Sequence, residues 1–126
     1  MVIVDANAIL RYTLNDNLEM AKKVRNLLDE SKIYIRYEVL AEVIYVLNKV
    51  YLLSRNEIVD GIKIFLSEPN VGTESPEVLS LALEKYTIIN LDFVDCILYS
   101  FNMIYGYKVF TFDKKLMSLL TASTNR

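Results

Sequence analysis

A chain of 126 residues is long enough to bury a core, and we expect one domain over residues 1–126. Hydrophobic residues make up 53% of the composition, which excludes a disordered chain. The formal net charge of −2 excludes a protein that binds nucleic acid through basic charge alone. The chain has no histidine, which excludes Ser-His-Asp triads, Cys-His pairs and histidine zinc sites, so a metal would need oxygen ligands.

The sequence also indicates the cellular compartment in which the protein is expected. The single cysteine, Cys96, cannot form an intrachain disulfide, which fits a reducing cytoplasm. No signal peptide is predicted, because no basic segment precedes the first apolar run and Asp5 interrupts that run. No apolar stretch approaches the roughly 20 residues of a membrane span. We therefore expect a cytoplasmic protein that does not enter a membrane.

The first part of the chain predicts short strands that alternate with helices. Residues 2–4 (VIV) are continuously apolar, which is typical of a strand covered on both faces. Residues 32–36 (KIYIR) predict a second strand. Apolar residues recur at helical spacing in the intervening and following segments, which predicts helices over residues 8–14, 18–30 and 37–53.

The next segments carry clear start signals for helices. Ser54 and Glu57 form a capping-box pattern, which predicts a helix to residue 65 or 66. A loop with a possible strand near Val71 follows. Ser75 and Pro76 then predict another helix, with the proline at its first position, that ends near residue 85 or 86.

The last third predicts two more helices and a strand. Residues 88–91 are apolar and fit either a short strand or a loop. Asp92 is the expected cap of a helix that Gly106 ends. The remaining predicted elements are a strand over residues 108–112 (KVFTF), which ends at Asp113, and a helix over residues 114–120.

This order of elements predicts an α/β fold with a mainly parallel sheet. Ligands of such sheets bind beside the carboxyl ends of the strands. Asp5 follows the first predicted strand and Asp113 follows the last, so we expect both at that edge. Asp95, in the first turn of its helix, would point to the same edge.

A fourth acid, Glu42, lies within an apolar helical face. Carboxylates gathered in one cleft repel each other, and a divalent cation such as Mg²⁺ or Mn²⁺ would remove the conflict. Simpler roles stay open for each residue: helix caps for Asp5 and Asp113, a surface position for Glu42, and interaction with the helix dipole for Asp95.

Four motifs, MVIVDANAILRY, EVLAEVIYVL, LDFVDCIL and VFTFDKKL, occur in order along the chain. With these motifs the sequence resembles the PIN-domain family, and it is most similar to the VapC-type toxin ribonucleases of prokaryotic toxin–antitoxin pairs. The resemblance covers nearly the whole chain. It implies a three-layer α/β/α fold with a short, mainly parallel central sheet.

The resemblance also implies a function and a set of site residues. The acidic residues of the family fall on Asp5, Glu42, Asp95 and Asp113, which are expected to be catalytic and to bind metal. Asn7 and Thr111 match residues that are expected to orient these ligands. The implied activity is that of an endoribonuclease that depends on Mg²⁺ or Mn²⁺ and hydrolyses RNA. The family further implies a homodimer that a small antitoxin holds inactive.

Several interpretations remain beside this one. Lys114 and Lys115 either hold the substrate backbone or are solvated surface charges. Arg11 either contacts RNA phosphate or is a surface or interface residue. A non-catalytic binding module of the same fold and a receiver-type phospho-acceptor domain are the rival functions. A dehalogenase-type phosphatase fits less well, because Asn7 stands where its DxD pattern needs a second acid.

Overall fold

The computed structural model describes residues 1–124, so residues 125–126, the last two of the predicted domain, lie outside it. The chain forms two compact units, Met1–Glu74 and Ser75–Arg126. The described residues contain three strands and seven helices. None of the helices in residues 1–124 has the length and apolar character needed to cross a membrane.

The first unit contains all three strands and four helices. They are β1 (Val2–Ile3), α1 (Ala6–Leu14), α2 (Leu18–Glu30), β2 (Ile33–Ile35), α3 (Tyr37–Lys49), α4 (Arg55–Leu66) and β3 (Val71–Thr73).

The three strands form one parallel sheet in the order β1-β2-β3. Val2 pairs with Ile33, which in turn pairs with Val71, so the carboxyl ends of the strands share one edge. Both apolar ends of the central strand, Ile33 and Ile35, are buried. The predicted parallel sheet is thus confirmed, as is the strand near Val71. The prediction that the first strand is covered on both faces is wrong at Ile3, which is 63% exposed because β1 lies at the edge of the sheet.

Local capping explains where the helices of this unit begin. Asp5 accepts a hydrogen bond from the Ala8 N–H at 3.0 Å, so α1 begins two residues earlier than predicted. The capping box at α4 forms as predicted: the Glu57 N–H donates to Ser54 Oγ, and the Ser54 N–H donates to Glu57 Oε1. Such caps depend on a few adjacent residues, which makes helix starts predictable from sequence.

The end of α3 is different from the prediction, because the helix stops at Lys49 rather than at residue 53. Leu52 adopts a left-handed conformation, with φ of 57°. This turn lets the Leu53 N–H donate to the carbonyl oxygen of Leu47 at 3.0 Å, which satisfies an otherwise unpaired carbonyl at the helix end. A leucine in this conformation is strained, since its Cβ approaches the backbone.

Replacing Leu52 with glycine is expected to raise the free energy of unfolding by about 0.5–1 kcal/mol, because glycine adopts a positive φ without strain. Little packing is lost, since Leu52 is 81% exposed. Urea unfolding followed by circular dichroism measures the effect. Val50→Gly is the matched control: Val50 is also exposed but has an α-helical backbone, so glycine there should destabilise the protein. Equal effects of the two substitutions would contradict the assignment of strain to Leu52.

The second unit contains three helices, α5 (Pro76–Ile88), α6 (Phe93–Tyr105) and α7 (Lys114–Thr124). As predicted, Ser75 caps α5, and Gly106 ends α6 with φ of 71°. Helix α6 packs against both α5 and α7. The apolar faces meet in a core that includes Leu83, Tyr99 and Leu116, and Cys96 is buried there.

The predicted strand over residues 108–112 is wrong. This segment has no regular secondary structure, and the described residues of its unit contain no strand with which it could pair. A strand is stabilised by its pairing, so an apolar β-branched and aromatic pattern does not suffice. Phe110 and Phe112 are 87% and 85% exposed, and their rings contact each other edge to face at 5.3 Å between centroids.

Candidate active site

Asp5 lies where the sequence places it, two residues after the end of β1 at the carboxyl edge of the sheet. Its side chain is exposed, and its Oδ1 caps α1. The capping role and a ligand role are compatible, because a carboxylate has two oxygens. Asn7 is exposed in the first turn of the same helix.

Glu42 belongs to the same unit and lies in the second turn of α3, the helix that follows β2. Although its neighbours Val43 and Ile44 are buried, Glu42 is exposed. One turn earlier, Glu38 pairs with Arg36 at 2.8 Å, and this hydrogen bond holds the pKa of Glu38 below its ordinary value. The two acids on α3 therefore differ: Glu38 is neutralised by a neighbouring cation, whereas no ion pair within residues 1–124 involves Glu42.

The second unit brings Asp95 and Asp113 together. Both line one depression of about 330 Å³, which we call the acidic depression. Its other lining residues are Asn90, Leu91, Asp92, Lys114 and Lys115. Asp95 comes from the first turn of α6, and Asp113 comes from the residue before α7. Two elements that are separate in sequence thus deliver carboxylates to one place.

The environment of Asp95 disfavours its charged form. Burial raises the pKa of Asp95 above its ordinary value, and the negative charges of Asp113 and Asp92 raise it further. Such crowding of carboxylates is unfavourable for folding and becomes favourable when a cation binds. A carboxyl with a perturbed pKa in a depression is also the pattern that functional sites show more often than other surface regions.

Asp92 has a larger part in this depression than the sequence predicted. It occupies the N-cap position of α6 as expected, but its side chain makes no capping hydrogen bond. The expectation that its carboxylate points back at the helix N–H groups is therefore wrong. The carboxylate of Asp92 instead lines the acidic depression and acts on the pKa of Asp95. The LDFVD motif did show that Asp92 could join Asp95 in the site, since it contains two acids three positions apart.

Asp113 is held by a local turn as well as by its helix. Its backbone N–H donates to Thr111 Oγ1 at 3.0 Å, and its Oδ1 accepts from the Leu116 N–H at 2.8 Å. Thr111 was expected to orient the acidic ligands; its hydroxyl accepts from the backbone N–H of Asp113 and does not contact the carboxylate. Because the predicted strand is absent, a helix cap and a turn position this acid, and not the end of a strand.

Two lysines provide positive charge beside the carboxylates. Lys114 and Lys115 both line the acidic depression, and Lys115 Nζ donates to the Asn90 carbonyl oxygen at 3.4 Å. Arg11, in the first unit, has its positive charge beside an acid of its own unit. Its Nη1 contacts Asp16 Oδ1 at 2.7 Å, and a hydrogen bond with Tyr51 raises its pKa. The two lysines are therefore placed to meet a phosphate near Asp95 and Asp113, whereas Arg11 is engaged by Asp16 and Tyr51.

The donor set of the acidic depression suits a hard divalent cation. Carboxylate oxygens are the ligands that Mg²⁺ and Mn²⁺ prefer. Burial, and after it the negative charges of Asp113 and Asp92, raises the pKa of Asp95, and a cation would offset those charges. Asp95 and Asp113, with Asp92 beside them, are the residues of this unit that would hold such an ion. Within residues 1–124, no three acidic, cysteine or histidine side chains form a ready-made metal cluster.

Comparison with known proteins identifies the family. A family model described as PIN domain matches residues 2–119, which include residues of both units. No curated protein and no solved structure shows a significant match to the chain. PIN domains are generally nucleases and typically use divalent metal ions, and the match confirms the predicted α/β fold class. Because the match covers nearly the whole sequence, the chain belongs to the PIN domain family.

Proposed function

We propose that this protein is an endoribonuclease that depends on Mg²⁺ or Mn²⁺, with Asp5, Glu42, Asp95 and Asp113 as its acidic site residues. The observation that carries the proposal is the pair of carboxylates, Asp95 and Asp113, in one depression with two lysines, in a chain of a family of nucleases. Asp5 and Glu42 are assigned by their motifs and by their position at the carboxyl edge of the sheet or on the helix that follows it.

The reaction is hydrolysis of a phosphodiester. A water oxygen attacks phosphorus, one P–O bond to a ribose oxygen breaks, and the water proton passes to the departing oxygen. When bound, the divalent cation acidifies water and offsets negative charge on the phosphoryl group. Lys114 and Lys115 attract the RNA backbone, and Thr111 keeps Asp113 in place through its backbone N–H.

The biological role that we propose is that of a VapC-type toxin in a type II toxin–antitoxin pair, acting on RNA in the cytoplasm as a homodimer. The four motifs of the sequence support this role. Exposed aromatic side chains such as Tyr107 and Phe110 are surfaces that a second copy or a small antitoxin would cover. A neighbouring gene for a short DNA-binding protein with an apolar C-terminal helix is the expected genomic context.

The function is tested by cleavage of an end-labelled, structured RNA with purified protein. The reactions contain Mg²⁺, Mn²⁺ or EDTA, and Asp5→Asn is run in parallel. We expect internal cuts with either cation, no cuts in EDTA, and a loss of about 100-fold or more in rate for Asp5→Asn.

Each result has a distinct meaning. Cleavage that persists equally in EDTA would contradict metal dependence. Cleavage that Asp5→Asn leaves unchanged would remove Asp5 from the site and point to a contaminating nuclease. A protein that binds metal by calorimetry but cuts none of a broad RNA pool would favour the rival function, a binding module of the same fold.

A further inference from the structure

A second depression adjoins the acidic one, and its apolar wall has no part in the hydrolysis as derived above. It has a volume of about 580 Å³ and runs along one face of α7, and we call it the α7 groove. Residues 115, 118, 119 and 122 of its wall recur at helical spacing, so one side of α7 forms it. Its size is within the range of sites that bind small organic groups.

The chemistry of the α7 groove is mostly apolar. Ile89, Leu119 and Ala122 line it, and Asn90 and Ser118 add an amide and a hydroxyl group. Among the described residues, none of its lining side chains is acidic. A flat, largely apolar ring with a hydrogen-bonding edge matches such a lining, because its faces need apolar contact while its edge needs donors and acceptors.

The groove is continuous with the acidic depression. Asn90, Lys114 and Lys115 line both, so the two lysines stand between the carboxylates and the apolar wall. A nucleotide whose phosphate meets these lysines therefore has carboxylates on one side and the α7 groove on the other. The positive charges of Lys114 and Lys115 at this shared wall favour a nucleic acid as the ligand. An apolar protein segment would gain no binding energy from the two lysines.

We propose that the α7 groove binds one unpaired nucleobase of the RNA substrate, on a nucleotide next to the phosphodiester that is cut. This inference rests on the proposed function and names a base-binding subsite for it. Asn90 is the residue that reads the base edge, since its amide offers both a donor and an acceptor. Leu119 and Ala122 contact the face of the ring, and Lys114 and Lys115 hold the adjoining phosphate.

The test is equilibrium binding of a fluorescein-labelled, single-stranded RNA octamer, measured by anisotropy. Ca²⁺ replaces Mg²⁺ as an oxygen-binding cation, and a gel confirms that the RNA stays intact. Ala122→Trp fills the groove from an exposed position on α7. Thr121→Trp is the matched control, because Thr121 is the exposed neighbour of Ala122 and does not line the groove.

We expect Ala122→Trp to weaken binding about tenfold, because the apolar contacts of one base are lost, and Thr121→Trp to change it less than twofold. The octamer is also made with an abasic ribose at each position in turn. For the wild-type protein, an abasic ribose at one of these positions only should weaken binding as much as Ala122→Trp does. Ala122→Trp should bind the intact octamer and that abasic octamer equally well.

Other outcomes overturn the inference in distinguishable ways. RNA binding that responds alike to Ala122→Trp and Thr121→Trp, or to every abasic position, overturns the subsite and leaves the proposed nuclease in place. If the wild-type protein binds no RNA, both the subsite and the proposed function are overturned. If Ala122→Trp changes the oligomeric state in gel filtration and not the RNA affinity, the groove is a protein interface.

Discussion

Replacing Asp95 with asparagine is expected to lower the rate of RNA cleavage by about 100-fold or more, and at the same time to stabilise the metal-free protein at pH 7. The loss of activity follows from the proposed role of Asp95 as a ligand beside Asp113. The gain in stability follows from the cost of a charge that is partly buried and lies near Asp113 and Asp92. Opposite effects on activity and stability are typical of a functional residue and not of a structural one.

The stabilising effect of Asp95→Asn should depend on pH. In the folded protein the pKa of Asp95 is raised above its ordinary value of 3.8. Below that value the carboxyl is protonated in both the folded and the unfolded chain, so asparagine brings no advantage. As the pH rises through the raised pKa, the folded protein must ionise Asp95 at a cost, and stability is lost. The difference in melting temperature should therefore be present at pH 7 and disappear toward pH 3.5.

Thermal unfolding in EDTA, followed by circular dichroism between pH 3.5 and pH 7, measures this difference. Asp60→Asn is the matched control, since Asp60 is an exposed helical aspartate in the other unit. Adding Mg²⁺ should then stabilise the wild type more than Asp95→Asn, because the variant has lost a ligand. A variant that is less stable than the wild type at pH 7, or one that cleaves RNA normally, would contradict the role assigned to Asp95.

Replacing Leu116 with alanine is expected to lower the free energy of unfolding by about 2–5 kcal/mol, as large-to-small substitutions in a core do. Leu116 is fully buried, and among the described side chains of α7 it is the only buried one. It therefore fixes α7 against the rest of its unit. Asp113, Lys114 and Lys115 stand at the start of this helix, so the loss should also reduce RNA cleavage.

Urea unfolding and hydrogen exchange of the α7 amides measure the effect of Leu116→Ala. Met117→Ala is the matched control, because Met117 is the adjacent residue and is 43% exposed. Its cost should stay below about 1 kcal/mol, which is ordinary for a surface position. If the two substitutions cost the same, Leu116 does not anchor the helix. If Leu116→Ala changes stability without faster exchange in α7, the burial of this residue serves another part of the core.

The residues of the candidate site were predictable to different degrees. Asp95 and Asp113 were identified from their motifs, and the structure places both in one depression. Asp92 was interpreted as a cap because local sequence does not reveal where an N-cap side chain turns. The α7 groove was not foreseen, since its wall combines a loop before α6 with a face of α7. The roles of all these site residues stay predictions until their variants are measured: Asp5, Asn7, Glu42, Asp95, Thr111 and Asp113.

The sequence by itself determined that the helices exist, several of their caps and the family, because helical periodicity and capping depend on residues within a few positions of each other. The start of α4 at Ser54 and the end of α6 at Gly106 are examples. Only the tertiary structure decided the conformation of residues 108–112, which have a strand pattern but find no strand to pair with among the described residues of their unit. It also decided the surroundings of Asp95. Pairing and burial depend on residues distant in sequence, and neither the β pattern nor a single carboxylate specifies its partners.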